Sequence, residues 1–358
     1  MKYFEGLCYS CDRMAKKVSY EAMGDEERAC AVKNVAEAIR QGRDINDTGF
    51  MQLLAYCDID TRSIADAAVE ALCDPALFRK ACYYPYAIYK DASPEVREWL
   101  IAQLLDPECK NANEILCYLA EIGDERVRTV FYQLEHNPLP WRQSLYVDPS
   151  VYAQGGGWTF DENGKKIELN YPVCYAIEPQ ETADSALTVC EKIAGECSVC
   201  SSQLVNILVL DGRDERLAFL GIDGQIKLPL CPLCASMSDK TVIRYQVDGA
   251  GSFEVVNPFG DQGGFLDEDI ALLTNNKLGL SAKPKPLYYA YGFDELSIIG
   301  GRPDWVQDWQ YEQCPDCGKY MRMMAMLSWA QLQEYGEGNL YIEVCTDCSV
   351  AVAFHQQT

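Results

Sequence analysis

Apolar residues recur at helical spacing through the first third of the chain. Ala29, Val32, Val35, Ala36 and Ile39 form a stripe within residues 26–41, and Ile64, Ala68 and Leu72 repeat the pattern over 64–72. Pro75 can open a further helix running to Tyr89. Ser93-Pro94-Glu95 reads as a helix start, with Ser93 as N-cap and Pro94 in the first turn, ahead of an apolar face of Val96, Leu100, Ile101, Leu104 and Leu105. Helices over 113–121 and 124–135 follow, with Gly123 as the stop between them. The prolines of Asn137-Pro138-Leu139-Pro140 end this regime. Beyond them, Trp158-Thr159-Phe160 and Ile167-Glu168-Leu169 flank an Asn163-Gly164 turn and predict a hairpin. Short apolar runs at 204–210, 217–222, 225–230, 323–329, 340–344 and 350–354 then read as strands. The pattern predicts an α+β protein: a helical domain over 1–136, a linker and hairpin over 137–190, a β-rich region over 191–297, and a C-terminal segment over 298–358.

A weak repeat runs through the helical part. Val96-Arg97 recurs as Val127-Arg128 thirty-one residues on, and Ile64, Leu72 and Asp74 precede Val96, Leu104 and Asp106 by thirty-two. Hairpins at this period can stack, each burying its apolar face on the next. The pattern resembles HEAT-like repeats over residues 25–136, with an irregular helical bundle as the alternative. The tyrosines Tyr83, Tyr84, Tyr86 and Tyr89 read as core and groove wall.

Composition narrows the class. At 48% apolar and 24% charged residues, the 358-residue chain reads as globular. No apolar run approaches a membrane span, and residues 1–11 lack the apolar core of a secretory signal, so a cytoplasmic location is expected. Fifty-four acids against 31 bases leave a net charge of −23. Such a field repels nucleic acid and anionic lipid and favours a basic protein partner, when it does more than confer solubility. Gly155-Gly156-Gly157 lacks the spacing of a phosphate loop, and Asp267, Glu268 and Asp269 read as a solvated face.

Eight of the 18 cysteines fall in Cys-x-x-Cys pairs: Cys197/Cys200, Cys231/Cys234, Cys314/Cys317 and Cys345/Cys348. Four thiolates satisfy one tetrahedral zinc, so these eight predict two structural zinc ions in zinc-ribbon-like, four-cysteine sites. A mixed pairing, such as Cys197/Cys200 with Cys345/Cys348, is an open alternative, as are iron–sulfur ligation and redox activity. Cys8/Cys11 is a fifth pair without a partner pair. Cys30, Cys57, Cys73, Cys82, Cys109, Cys117, Cys174 and Cys190 read as small buried hydrophobes. The two histidines, His136 and His355, lie in no hydrolase motif, and no catalytic residue is assigned.

The stretch Ile299-Gly300-Gly301-Arg302-Pro303-Asp304-Trp305-Val306-Gln307 resembles the Gly-Gly-x-Pro-x-Trp-x-Gln signature of the YwqG-like domain. Cys314-Pro315-Asp316-Cys317, Met321, the run 323–327, Gly338, Leu340-Tyr341-Ile342 and Gln356 extend the resemblance over 298–356. Ser328-Trp329 departs from it where the family often has Gln. The C-terminal region of proteins related to programmed cell death protein 2 is similar. The resemblance implies a mainly β fold without established enzyme chemistry. It also implies protein binding, as in bacterial immunity proteins of polymorphic toxins, or in chaperones of a ribosomal protein.

These readings converge on a non-catalytic, cytoplasmic, zinc-stapled immunity protein that occludes a basic toxin domain. The alternatives are a chaperone or adaptor for a basic client, and a zinc- or thiol-dependent enzyme. Asp304, Asp308 and Trp309 are the candidate partner contacts, since Trp beside carboxylates suits a basic surface. Trp305 reads as a core residue.

Overall fold

In the computed structural model the described residues are 13–73, 86–258, 267–292, 296–333 and 336–357. Cys8/Cys11, Cys82, Tyr83 and Tyr84, and most of the helix expected from Pro75, lie outside them; Tyr86–Tyr89 forms a short 3-10 turn. The chain divides into two units, one built on residues 1–169 and one on 170–358, with 291–293 assigned to the first. The architecture is α+β.

The first unit contains α1 (Arg13–Glu21), α2 (Asp25–Arg40), α3 (Phe50–Cys57), α4 (Arg62–Leu72), α5 (Pro94–Leu104), α6 (Ala112–Ile122), α7 (Glu125–His136), α8 (Pro149–Gly155) and the hairpin β1 (Trp158–Phe160)–β2 (Lys166–Glu168). Two caps recur thirty-one residues apart. The Ser93 hydroxyl accepts from the amide of Val96 at 3.2 Å, and the Asp124 carboxylate accepts from that of Val127 at 3.0 Å. α6 is apolar around most of its circumference and is accordingly buried at Ala112 and from Ile115 to Ala120, with Tyr118 stacked on Tyr89 at 4.6 Å. Side chains about thirty residues apart tie alternate helices, Arg40 of α2 to Glu70 of α4 and Arg97 and Glu98 of α5 to Asp124 and Arg126 at the start of α7, and Asp91 accepts from the Thr61 amide.

The expected boundary at 136/137 moves to 169/170. The proline-rich segment makes a 3-10 turn, Pro140–Ser144, that stays on the helices because the Trp141 indole N–H donates to the Leu104 carbonyl at 3.0 Å. The hairpin is held likewise. Trp158, buried, donates from Nε1 to the Ala120 carbonyl at 2.8 Å. Gly156 permits this approach, since a Cβ there would sit 1.9 Å from the Ala120 oxygen.

The second unit is antiparallel. Its eight-stranded sheet runs in the order β8 (Ser252–Pro258), β7 (Ser238–Arg244), β13 (Val350–Gln356), β12 (Asn339–Cys345), β11 (Arg322–Ser328), β10 (Ser297–Gly301), β3 (Tyr171–Pro179), β9 (Leu278–Leu280). A second sheet comprises β4 (Leu187–Glu196), β5 (Gln203–Asp211) and β6 (Gln225–Leu230). One core joins them: Leu340, Ile342 and Val344 of β12 and Ala351 and Ala353 of β13 cluster with Val205, Leu208 and Leu228 of the smaller sheet. The regions 191–297 and 298–358, expected to be separate, are therefore interleaved, because β13 pairs with β12 on one side and β7 on the other. The run 217–222, expected as a strand, forms a 3-10 turn at Ala218–Leu220 instead. Among the described residues no helix is long and apolar enough to cross a membrane.

The sheets are also clamped by charge. Asp184, between β3 and β4, takes two hydrogen bonds from Arg216 (2.9 and 3.0 Å) and one each from the amides of Ala186 and Leu280. Its side chain is only 8% exposed. Burial works to raise its pKa, but these donors outweigh burial and hold it below the usual carboxylate value. The clamp thus contributes its full stability above pH ~4, the unfolded value, and loses it as pH falls toward the lower folded value. Asp184→Asn is expected to lower stability at pH 7 by about 2–4 kcal/mol, with the difference from wild type shrinking below pH ~4. Urea unfolding of both proteins across pH 2–7 checks this, taking the pH range as roughly that of carboxylate titration.

Candidate metal centres

The four cysteine pairs converge as two groups, Cys197/Cys200 with Cys231/Cys234, and Cys314/Cys317 with Cys345/Cys348. Within each group the sulfurs lie within 4.8 Å of one another, which decides against mixed pairing. A tetrahedral zinc with sulfurs at ~2.3 Å requires S···S separations of about 3.8 Å. The observed contacts are 3.7 Å for Cys197–Cys234, 3.4 Å for Cys200–Cys231, 3.6 Å for Cys200–Cys234 and 3.8 Å for Cys317–Cys345. The residues fit a metal ion of this size and ligand preference.

Local backbone explains how short loops aim two sulfurs at one point. In three of the four knuckles the residue after the second cysteine has positive φ: Ser201 at 60°, Gly318 at 74° and Ser349 at 57°. This bends the chain back so that the Ser201 amide reaches the Cys197 carbonyl and the Gly318 amide the Cys314 carbonyl, each at 2.8 Å. Gly318 was legible as such a residue; the two serines carry no such signal. The fourth knuckle instead enters the short helix α9 (Pro232–Ser236), whose first turn directs the Cys234 amide at Cys231 Sγ, 3.5 Å away.

Four thiolates in either group would need a cation among them. Burial and the neighbouring sulfurs push Cys231 up to about 12, and its neighbours push Cys348 up to about 12. Burial opposes ionisation of Cys200, but the Ser202 hydroxyl and amide and the adjacent thiols bring it down to about 7. A group of this kind accepts one thiolate readily and resists the rest until a dication replaces the protons. The surroundings differ. Cys197, Cys231 and Cys234 are buried, with Leu204, Leu233, Phe253 and Val255 packed around them. In the second group Cys317 is exposed and Cys348 half-buried.

Neither histidine joins a cluster. His136 Nδ1 contacts the Tyr132 carbonyl and His355 Nε2 the Glu337 carbonyl. Of the lone cysteines, Cys57, Cys117, Cys174 and Cys190 are buried as expected; Cys30 and Cys73 are exposed and Cys109 half-buried, so for these three the expectation fails. Cys30 and Cys73 ride on the outer faces of α2 and the end of α4.

The Gly-Gly-x-Pro-x-Trp-x-Gln stretch forms a strap across the sheet face opposite the core. Gly300 and Gly301, both near φ +70°, mark a bulge against β3, and a Cβ at Gly300 would meet the Val173 oxygen at 2.1 Å. Trp305, expected in the core, is instead half-buried, and stacks on Tyr341 at 4.5 Å and 21°. Tyr341 Oη donates to the Asp304 carbonyl, and Gln356 accepts from the Gln307 amide and donates to the Asp308 carbonyl. Of the proposed partner contacts, Asp308 is exposed while Asp304 and Trp309 are half-buried, all on this strap. Glu343 was missed. Fully buried on β12, it accepts the Glu312 amide at 2.8 Å, and burial raises its pKa well above the usual value. In the sequence it reads as an ordinary outward position between Ile342 and Val344.

Over 274 residues, 75% of the chain, the sequence is 31% identical to the uncharacterized protein YpfL of Salmonella typhimurium, and it spans 64% of that protein's length. No protein-family profile matches the chain, and no solved structure matches it.

The protein is expected to carry two zinc ions per chain, with four sulfurs at ~2.3 Å around each in X-ray absorption. Cys231→Ser should lower the content to one. A nitrogen or oxygen scatterer in either shell would contradict the assignment.

Proposed function

We propose that this chain is a non-catalytic protein-binding protein in which two zinc ions are structural and an acidic surface engages a basic partner. In its most specific form the reading is a cytoplasmic immunity protein that binds and occludes a cognate toxin domain. The HEAT-like reading of residues 25–136 and the YwqG-like reading of 298–356 belong to this proposal. The first is supported by the recurring caps at Ser93 and Asp124 and by the side-chain ties about thirty residues apart. The second is supported by the strap, in which the signature residues Gly300, Gly301, Trp305 and Gln307 each have a packing or hydrogen-bonding part.

The observation that carries the proposal is how the bases are used. Arg40, Arg97, Arg126, Arg128, Arg142, Arg213, Arg216, Lys240, Arg244 and Lys319 all engage acids of the same chain. With these bases engaged inside the chain, the net charge of −23 supports an acidic surface that attracts a basic partner. Closed, all-sulfur metal groups support a scaffolding role for the metal, since a catalytic zinc needs an open position.

Co-expression with a toxin domain encoded beside the gene, should one be there, tests the specific form: rescue of growth and co-elution of a stable complex are expected, and failure of both, or the lack of such a domain, overturns it. A ribosomal protein as the stoichiometric partner would favour the chaperone alternative. The affinity of the complex should fall roughly tenfold or more between 50 and 300 mM salt, as ~14 to ~6 Å screening lengths imply. Asp308→Lys should slow association without changing the unfolding midpoint, whereas Trp305→Ala should lower stability by about 3 kcal/mol.

A further inference from the structure

The two metal groups have the same ligand set but differ in access. In the first, three sulfurs are buried under Leu204, Leu233, Phe253 and Val255, and only Cys200 is half-exposed. An attack there finds no second accessible sulfur. In the second, Cys317 is exposed and Cys348 half-buried, so two sulfurs within 4.8 Å of each other are open to solvent.

Both belong to turns rather than strands. Cys317 precedes Gly318, whose Cβ position is unobstructed, and Cys348 precedes Ser349 at φ 57°. The other two ligands are held. Cys345 pairs with Val350 in the β12–β13 ladder, and Cys314 is buried with its amide on the Lys319 carbonyl. The Lys319 amide donates to Cys317, and the Lys319–Asp347 ion pair bridges the two knuckles at the surface.

We propose that the second cluster is a modification site for hydroperoxides, oxidised at Cys317 and Cys348 with loss of its metal while the first cluster keeps its own. The proposal rests on the zinc assignment but not on the identity of any partner. The Cys317 thiolate attacks one peroxide oxygen; the S–O bond forms as the O–O bond breaks, leaving a sulfenic acid and hydroxide. The Cys348 thiolate then attacks that sulfur; the S–S bond forms, the S–O bond breaks and a second hydroxide leaves. Two thiolates lose two electrons, hydrogen peroxide becomes two hydroxides, and zinc, left with two sulfur ligands, dissociates as the dication. Closing the S–S distance to ~2.05 Å asks for movement of the two turns only.

The test uses the purified full chain, its zinc content first measured. Hydrogen peroxide is added with a chromogenic zinc chelator present, and reacted cysteines are trapped with N-ethylmaleimide and mapped by mass spectrometry. One equivalent of zinc should leave on the order of tenfold faster than the second, with a Cys317–Cys348 disulfide and with Cys197, Cys200, Cys231 and Cys234 still reduced. Reductant plus zinc should restore the starting material. Two bound zinc ions released in a single phase, prior oxidation of the first cluster, or fast release with a different disulfide would overturn the proposal and leave the zinc assignment standing. A protein isolated with fewer than two zinc ions would overturn both.

Discussion

Four sulfurs within 4.8 Å of one another cannot all carry charge unless a cation sits among them, and the second unit is organised around two such groups. They lie at opposite ends of β7. The first group's helix α9 leads directly into Ser238, where β7 begins. At the other end, Arg244 reaches Asp316 in the knuckle of the second group at 2.7 Å. The strand beside it, β13, leaves the second group at Val350 and runs back toward the first. A metal ion held in each group would pin both ends of the same pair of strands, and those strands carry the register of the sheet.

The strap depends on that register. Tyr341 and Phe354 share the sheet face opposite the common core, directly paired across β12 and β13, and Trp305 lies over both. A one-residue slip would turn these rings into the core and expose Ile342 and Ala353. The strap's hydrogen bonds to Gln356 and Glu343 impose the same constraint with polar groups, because each would be unsatisfied and buried in another register. Glu343 is the sharper case: a fully buried acid at the centre of the sheet, it accepts the Glu312 amide on Oε2 while its Oε1 has no hydrogen-bond partner.

Much of the local structure was legible. In the first unit α2, α4, α5, α6 and α7 follow the apolar spacing, and the hairpin follows Asn163-Gly164, whereas α1, α3 and α8 carried no such signal. Cysteine spacing singled out the eight cysteines that cluster but not their grouping, because consecutive and mixed pairings satisfy the same count of sulfurs. What sequence could not convey was long-range. Asn137-Pro138-Leu139-Pro140 looks like a boundary, yet one indole hydrogen bond from Trp141 to Leu104 holds it on the helices. Leu217 and Ile222 look like strand residues, yet a tight turn buries them equally well. Cys30 and Cys73 sit on apolar helices but on their outer faces, where the period, not the local composition, decides exposure.

The strand order sets the sequence in which the second unit can form. The four cysteines of the first group are all present once the chain reaches residue 234, and they join β4–β6 over short loops with little closure entropy to overcome. The eight-stranded sheet is different. β7 has its inner neighbour only when β13, the last strand, is available, and β3 must wait for β10 across more than a hundred residues. The second metal group spans only Cys314 to Cys348 and sits where β12 turns into β13. Closing it fixes the final strand against β12 before that strand must find β7, which converts a pairing of residues more than a hundred apart into the docking of a preformed hairpin.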